Sequence, residues 1–107
     1  LEGLSDLVGT LRKVKANLNP AIEIEALVRT MYDPRSSLTT QVSNEIKNHF
    51  GDKVFDTVIP RNVRIAEAPS FGKPVILHDP TSKGAQAHFA FAKELLTRQG
   101  IAIREAA

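Results

Sequence analysis

A chain of 107 residues allows one domain at most, and a small one, since compact domains usually run about 100–150 residues. Apolar residues make up 42% and charged residues 24%, an ordinary globular balance, and the lack of cysteine excludes disulfides, zinc-thiolate sites and cysteine nucleophiles. A formal net charge of +2 does not by itself point to nucleic acid, and no apolar run is long enough to span a bilayer.

Leu1-Glu2-Gly3-Leu4 has no initiator methionine and runs straight into a helical pattern, so the chain reads as one entered partway through a larger protein. Leu4, Leu7, Val8, Leu11, Val14 and Leu18 recur at three- and four-residue steps, predicting an amphipathic helix over 3–18 that Asn19-Pro20 ends. Ile22, Ile24, Ala26 and Val28 alternate with Glu23, Glu25 and Leu27, predicting a strand over 22–31 buried in its second half. Tyr32 to Ser37 is a loop, with Asp33-Pro34 as its turn signal.

Leu38, Val42, Ile46 and Phe50 are spaced by four and predict a helix over 38–50, capped by Gly51. The β-branched residues Val54, Thr57, Val58 and Ile59 predict a second strand over 53–59. Pro60, Pro69, Pro74 and Pro80 make 60–81 mostly loop, with one helical turn at 65–68 and a short strand at 75–77. Ser82 caps a last helix over 83–98, expected to bury Ala85, Phe89, Ala92, Leu95 and Leu96. Gly100 stops it, and Ile101-Ala102-Ile103 is expected to form a small edge strand.

This order is that of an α/β fold, part of a parallel sheet. Two central strands are fewer than the roughly 4–6 of a typical sheet, so a missing N-terminal half or a partner is expected to cover the apolar faces. The densest polar run, Thr57 to Pro74, begins where the second strand ends, and open α/β sheets bind ligands beyond their strand carboxyl ends. Read from residue type alone, Met31 is core filler and Pro60 a strand end, while the arginines and lysines are solvated charges. His49, His78 and His88 lack metal-ligand spacing, Ser36, Ser37 and Ser70 have no evident base, and Glu23 and Glu25 share an exposed strand face.

Four stretches resemble the ParA/Soj-type partitioning ATPases, in that family's order. They are Leu1 to Ser5, Leu27 to Arg35 ending in Thr-Met-Tyr-Asp-Pro-Arg, the Thr57–Pro74 run, and Asp79 to Ala85. The match is to the C-terminal portion of the family. It implies a P-loop NTPase fold from which the P-loop half is absent, with 1–107 a single, incomplete C-terminal segment of the ATPase domain. The one Gly-Lys pair, Gly72-Lys73, is followed by Pro74 and has Glu67 where the first P-loop glycine would stand. Without that phosphate cradle the chain is not expected to hydrolyse ATP alone.

The resemblance implies that Met31, Pro60, Arg61, Asn62 and Val63 form the adenine side of a nucleotide site. It also implies that Arg35 and Arg64 bind DNA phosphates without sequence preference, with Lys73 and Lys83 extending the patch. ATP and Mg2+ would serve the intact protein, and neither is expected to bind this chain tightly. The implied partners are non-specific double-stranded DNA, a ParB-type protein and a second copy in a nucleotide-dependent dimer, in the cytoplasm and on the nucleoid. The alternative is a stand-alone, non-catalytic module that binds DNA or a homologue. A membrane-positioning relative would need an amphipathic terminal helix, which Leu95 to Gln99 does not supply before Gly100.

Overall fold

The structure, a computed structural model, describes residues 2–102. The first helix, α1 (Glu2–Asn17), is followed by an irregular stretch and strand β1 (Leu27–Tyr32). Helix α2 (Ser37–Phe50) and a 3-10 turn (Gly51–Lys53) lead into strand β2 (Val54–Pro60). A short helix α3 (Val63–Glu67), a second 3-10 turn (Ala68–Phe71), a one-turn helix α4 (Val75–His78) and the long helix α5 (Lys83–Arg98) follow in that order.

β1 and β2 pair in parallel, in the register Leu27 to Val54, Arg29 to Val58 and Tyr32 to Pro60. Two residues of β1 therefore face four of β2, and then three of β1 face two of β2. The first irregularity takes the Asp56 and Thr57 amides out of the ladder, and both donate instead to the Glu94 carboxylate, at 2.9 and 2.8 Å. The second falls at Met31, whose φ of 52° is left-handed, a conformation that costs a side-chain-bearing residue about 1–2 kcal/mol.

Local signals explain the helix ends. Ser36 Oγ accepts from the Thr39 amide at the start of α2, and Gly51 ends that helix with φ of 54°. Ser82 Oγ accepts from the Ala85 amide and starts α5 as expected. A core gathers where β2 meets the helical C-terminal part. Val54, Phe55 and Ile59 are buried on the strand, and Ala68, Val75 and Ala85 form a second cluster against which Ile65 and Ile76 pack. On the other side the packing is loose. A cleft of about 510 Å3, lined in part by Leu4, Val8, Ile46 and Phe50, separates α1 from α2. Among the described residues β1 pairs with β2 alone.

Several expectations are corrected. The strand expected over 22–31 covers only Leu27–Tyr32, because β2 begins opposite Leu27 and offers 22–26 nothing to pair with. The strand expected at 75–77 is the helical turn α4: the Pro74 carbonyl accepts from both the Leu77 and His78 amides, and Val75 turns into the core. The loop expected over 60–81 is largely helical, since Asn62 Oδ1 accepts from the Arg64 and Ile65 amides and nucleates α3.

On α5 the buried stripe is rotated from the one expected. Phe91 packs on Phe55 with ring centroids 5.7 Å apart, Glu94 takes the β2 amides and the Arg98 guanidinium lies 4.5 Å above the Phe55 ring. Ala85 is buried and Leu95 and Leu96 half-buried, while Phe89, 47% exposed, and Ala92 face outward. Ile101 and Ala102 form no strand, because the Ile101 amide donates back to Leu96 O past Gly100. Ile103 lies outside the described residues.

Candidate functional site at the strand carboxyl ends

The parallel register brings the ends of β1 and β2 out together. Tyr32 stands opposite Pro60, and the Arg61 amide extends the ladder by donating to Tyr32 O at 3.2 Å. The loop after β1 and the loop after β2 therefore leave the sheet side by side. Met31 sits at the rim, 65% exposed and outside the buried clusters of this segment. Its backbone irregularity opens beside a groove of about 440 Å3, whose apolar wall includes Leu27, Leu38, Val42 and Ile46.

Asp33 organises the first loop. Its Oδ1 accepts from the Arg35 amide at 3.0 Å and from Arg35 Nε at 3.1 Å, and its Oδ2 accepts from Nη2 at 3.2 Å. The Arg35 side-chain and backbone hydrogen bonds hold the Asp33 carboxyl below its usual range, and the charges of Arg35 and Arg61 add to this. Asp33 in turn raises the Arg35 guanidinium. Arg35 is 89% exposed and points its fork at a single carboxylate.

Arg64 is differently placed. Its Nη1 donates to Glu67 at 2.8 and 3.2 Å, and its Nε lies 3.3 Å from Asp79 Oδ2, so two carboxylates share one half-exposed guanidinium. Glu67 Oε1 also meets His78 Nε2 at 3.1 Å, and the His78 ring stacks on Phe71 with centroids 4.6 Å apart. Hydrogen bonds from Arg64 first, and then from His78, lower the Glu67 carboxyl. Glu67 is the main cause of the raised Arg64 guanidinium.

The expected nucleotide residues fall into two groups. Met31, Pro60 and Arg61 stand together at the strand ends. Asn62 and Val63 begin α3, where Asn62 spends its Oδ1 on the helix cap and Val63 is exposed. The expected cationic residues are also divided. Arg35 lies with Arg61 around Asp33, whereas Arg64 turns toward Glu67 and Asp79. Lys73 and Lys83 are exposed, and neither meets a carboxylate among the described residues.

Some residues that shape the site were not singled out from the sequence. Arg29, in mid-strand, donates to Ser43 Oγ at 2.7 Å and to Phe55 O at 2.8 Å, tying β1 to α2 and β2 from within. Its Nε is buried with no hydrogen-bond partner among the described residues. An arginine between Val28 and Thr30 in a β-branched run was the available signal. Glu94 and Arg98 were legible as an i,i+4 pair on a helix, which the structure places on the irregular part of β2. Among the described residues no group of three or more His, Asp or Glu side chains is placed to hold a metal ion.

Comparison with known proteins bears on this arrangement. The family model for the CobQ/CobB/MinD/ParA nucleotide binding domain matches residues 3–75, from α1 through both strand ends to the start of α4. The chain is 54% identical over 99 residues to the chromosome partitioning protein ParA of Caulobacter vibrioides, covering 92% of this chain and 37% of that protein. It is 52% identical over 98 residues to the chromosome-partitioning ATPase Soj of Thermus thermophilus, covering 92% and 39%. It is 54% identical over 95 residues to the sporulation initiation inhibitor protein Soj of Bacillus subtilis, covering 89% and 38%. The chain thus spans less than two-fifths of the length of these three relatives. Since the matched stretch contains both paired strands and the loops that leave them together, the chain belongs to the CobQ/CobB/MinD/ParA nucleotide binding domain family, with homology to its ParA/Soj proteins.

Proposed function

We propose that residues 1–107 are the C-terminal segment of a ParA/Soj-like partitioning ATPase domain, incomplete without a P-loop half outside this sequence. The segment contributes the adenine side of a nucleotide site and a surface for the DNA backbone. One observation carries the reading: the pairing of Tyr32 with Pro60 sets the two loops beside each other at the carboxyl ends of parallel strands, where open α/β sheets bind ligands. The names borne by its relatives, chromosome partitioning protein and chromosome-partitioning ATPase, support the same reading.

A flat base with hydrogen-bonding edges suits what stands at the rim. Met31 offers an exposed thioether, Pro60 a ring edge, and the backbone of Arg61 to Val63 polar groups. With Oδ1 held by α3, Asn62 has its Nδ2 donor left for the base. Bound ATP supplies the phosphoanhydride that the intact protein cleaves. Its phosphates and Mg2+ fall to residues outside 1–107, because this sequence contains no G-x-x-x-x-G-K-[ST] run.

Arg35, Arg64, Lys73 and Lys83 hold backbone phosphates and so position DNA without reading its sequence. A ParB-type protein and a second copy in a nucleotide-dependent dimer are the protein partners, in the cytoplasm and on the nucleoid. No helix among the described residues is long and apolar enough to cross a membrane.

Retention on random-sequence double-stranded DNA against salt, measured on the full-length protein with ATP, tests the DNA surface. Each phosphate left without its cation should lower the slope of log K against log salt by about 0.9. Unchanged slopes for Arg35→Ala and Arg64→Ala would sink that assignment. Met31→Ala should weaken the binding of a fluorescent ATP analogue, and unchanged affinity would remove Met31 from the adenine site.

A further inference from the structure

We propose that Glu67 and Asp79 act as a built-in competitor for Arg64: they occupy its guanidinium in the free protein and yield it to a DNA phosphate. This rests on the assignment of Arg64 to DNA binding and adds the device that regulates it. A guanidinium donates to carboxylate and phosphate oxygens alike, so the two ligands compete for its N–H groups. Arg64 Nη1 is taken by both oxygens of Glu67, at 2.8 and 3.2 Å, and Nε faces Asp79 Oδ2 at 3.3 Å. Two carboxylates thus share one guanidinium, and a DNA phosphate gains the Nη1 and Nε donors only by displacing them.

Both carboxylates are held in place by other groups. Glu67 Oε1 also meets His78 Nε2 at 3.1 Å, and the stacked Phe71 ring fixes His78. Asp79 Oδ1 accepts from Thr81 Oγ1 at 3.2 Å, leaving Oδ2 for Arg64. The acids therefore stay put when the guanidinium leaves, and the moving part is the Arg64 side chain. Its 51% exposure gives it room to swing to a phosphate, and ion pairs this exposed contribute little, so the exchange is close to balanced. Arg35 differs in facing one carboxylate alone, and Lys73 and Lys83 face none among the described residues.

The test is a double-mutant cycle on the full-length protein with ATP, read as affinity for random-sequence duplex DNA across a salt series. Glu67→Gln with Asp79→Asn should tighten binding about three- to tenfold. The salt slope should stay near the parent's, because Arg64 neutralises the same phosphate in both complexes. In an Arg64→Ala background the same two substitutions should tighten binding far less, by general surface charge alone. An equal tightening in that background would mean that the acids act only as general surface charge, and would overturn the proposal. Unchanged affinity in the parent background would overturn it as well. If Arg64→Ala alone leaves DNA binding untouched, the assignment of Arg64 to DNA is what has failed, and the competitor falls with it. Glu67→Gln alone keeps a hydrogen-bonding partner for His78 and supplies the same comparison if the double substitution unfolds.

Discussion

Gly84 at the start of α5 lies directly against Ile65 of α3: a Cβ added to Gly84 would meet Ile65 Cγ1 at 2.5 Å and Asn62 Oδ1 at 2.7 Å. The close approach lets the α5 N-terminus seat on the α3 cap and close the cluster of Ala68, Val75 and Ala85. Intrinsic helix preference favours alanine over glycine by about 1 kcal/mol, and here it should lose. The neighbours cannot simply turn aside, since Asn62 Oδ1 is pinned by two amides. Gly84→Ala should destabilise the protein by about 1–3 kcal/mol in chemical denaturation. A stabilised variant would mean that the close approach relaxes freely.

Glu94 should give the fold a distinct acid sensitivity. Burial pushes its carboxyl up, but hydrogen bonds from Thr57, the Asp56 amide and Arg98 outweigh this and bring it from 4.5 down to about 2. Because the folded value lies below the unfolded one, the stabilisation is fully present above about 4.5 and is lost as pH falls toward about 2. Glu94→Gln should cost about 1–2 kcal/mol at neutral pH and flatten the acid-unfolding curve in that window. A variant whose stability falls with acid as steeply as the parent's would show that other carboxylates carry the effect.

Asn62 has two roles that two substitutions separate. Asn62→Ala removes the α3 cap and should cost about 0.5–2 kcal/mol. Asn62→Asp keeps a capping oxygen and should leave stability near that of the parent, while removing the Nδ2 donor proposed to face the base. Thermal unfolding should separate the two variants, whereas nucleotide-analogue titration should show both weakened, since both lack Nδ2. Equal nucleotide affinity for Asn62→Asp and the parent would leave Asn62 a helix cap only.

Ser43→Ala should destabilise out of proportion to one hydroxyl. Ser43 is buried and accepts from Arg29 Nη1, and Arg29 Nε already lacks a partner among the described residues. A second unpaired donor on the same half-buried guanidinium should cost about 1–3 kcal/mol, measurable by urea denaturation. A change below about 0.5 kcal/mol, the range of a neutral surface substitution, would indicate that solvent reaches the guanidinium.

Much of the site could be read along the chain, but its division could not. The run from Pro60 to Arg64 reads as one polar loop, yet in space it splits at Asn62. Arg61 stays with the sheet through its amide bond to Tyr32, and Arg64 turns away on α3. The cue was the Asn62-Val63-Arg64-Ile65 order, an N-cap residue ahead of a helical turn, masked by four prolines between 60 and 80. Glu67, His78 and Asp79 offered no such cue. Their convergence on Arg64 depends on how α3 and α4 fold onto α5, which no local spacing records.

By itself, the sequence determined the long elements and the family. Apolar steps of three and four, β-branched runs and single capping residues such as Gly51 and Ser82 act within a few residues of the chain, and among the described residues the structure has the three long helices and two strands they specify. Tertiary structure alone decided what those elements face. The strand at 22–26 fails for want of a partner, and the α5 stripe turns so that Phe91, Glu94 and Arg98, not Phe89, meet β2. Pairing and packing free energies come from groups distant in sequence. For that reason, the fork of Arg64 could be named as a charge from its residue type, and its two carboxylate partners only from the fold.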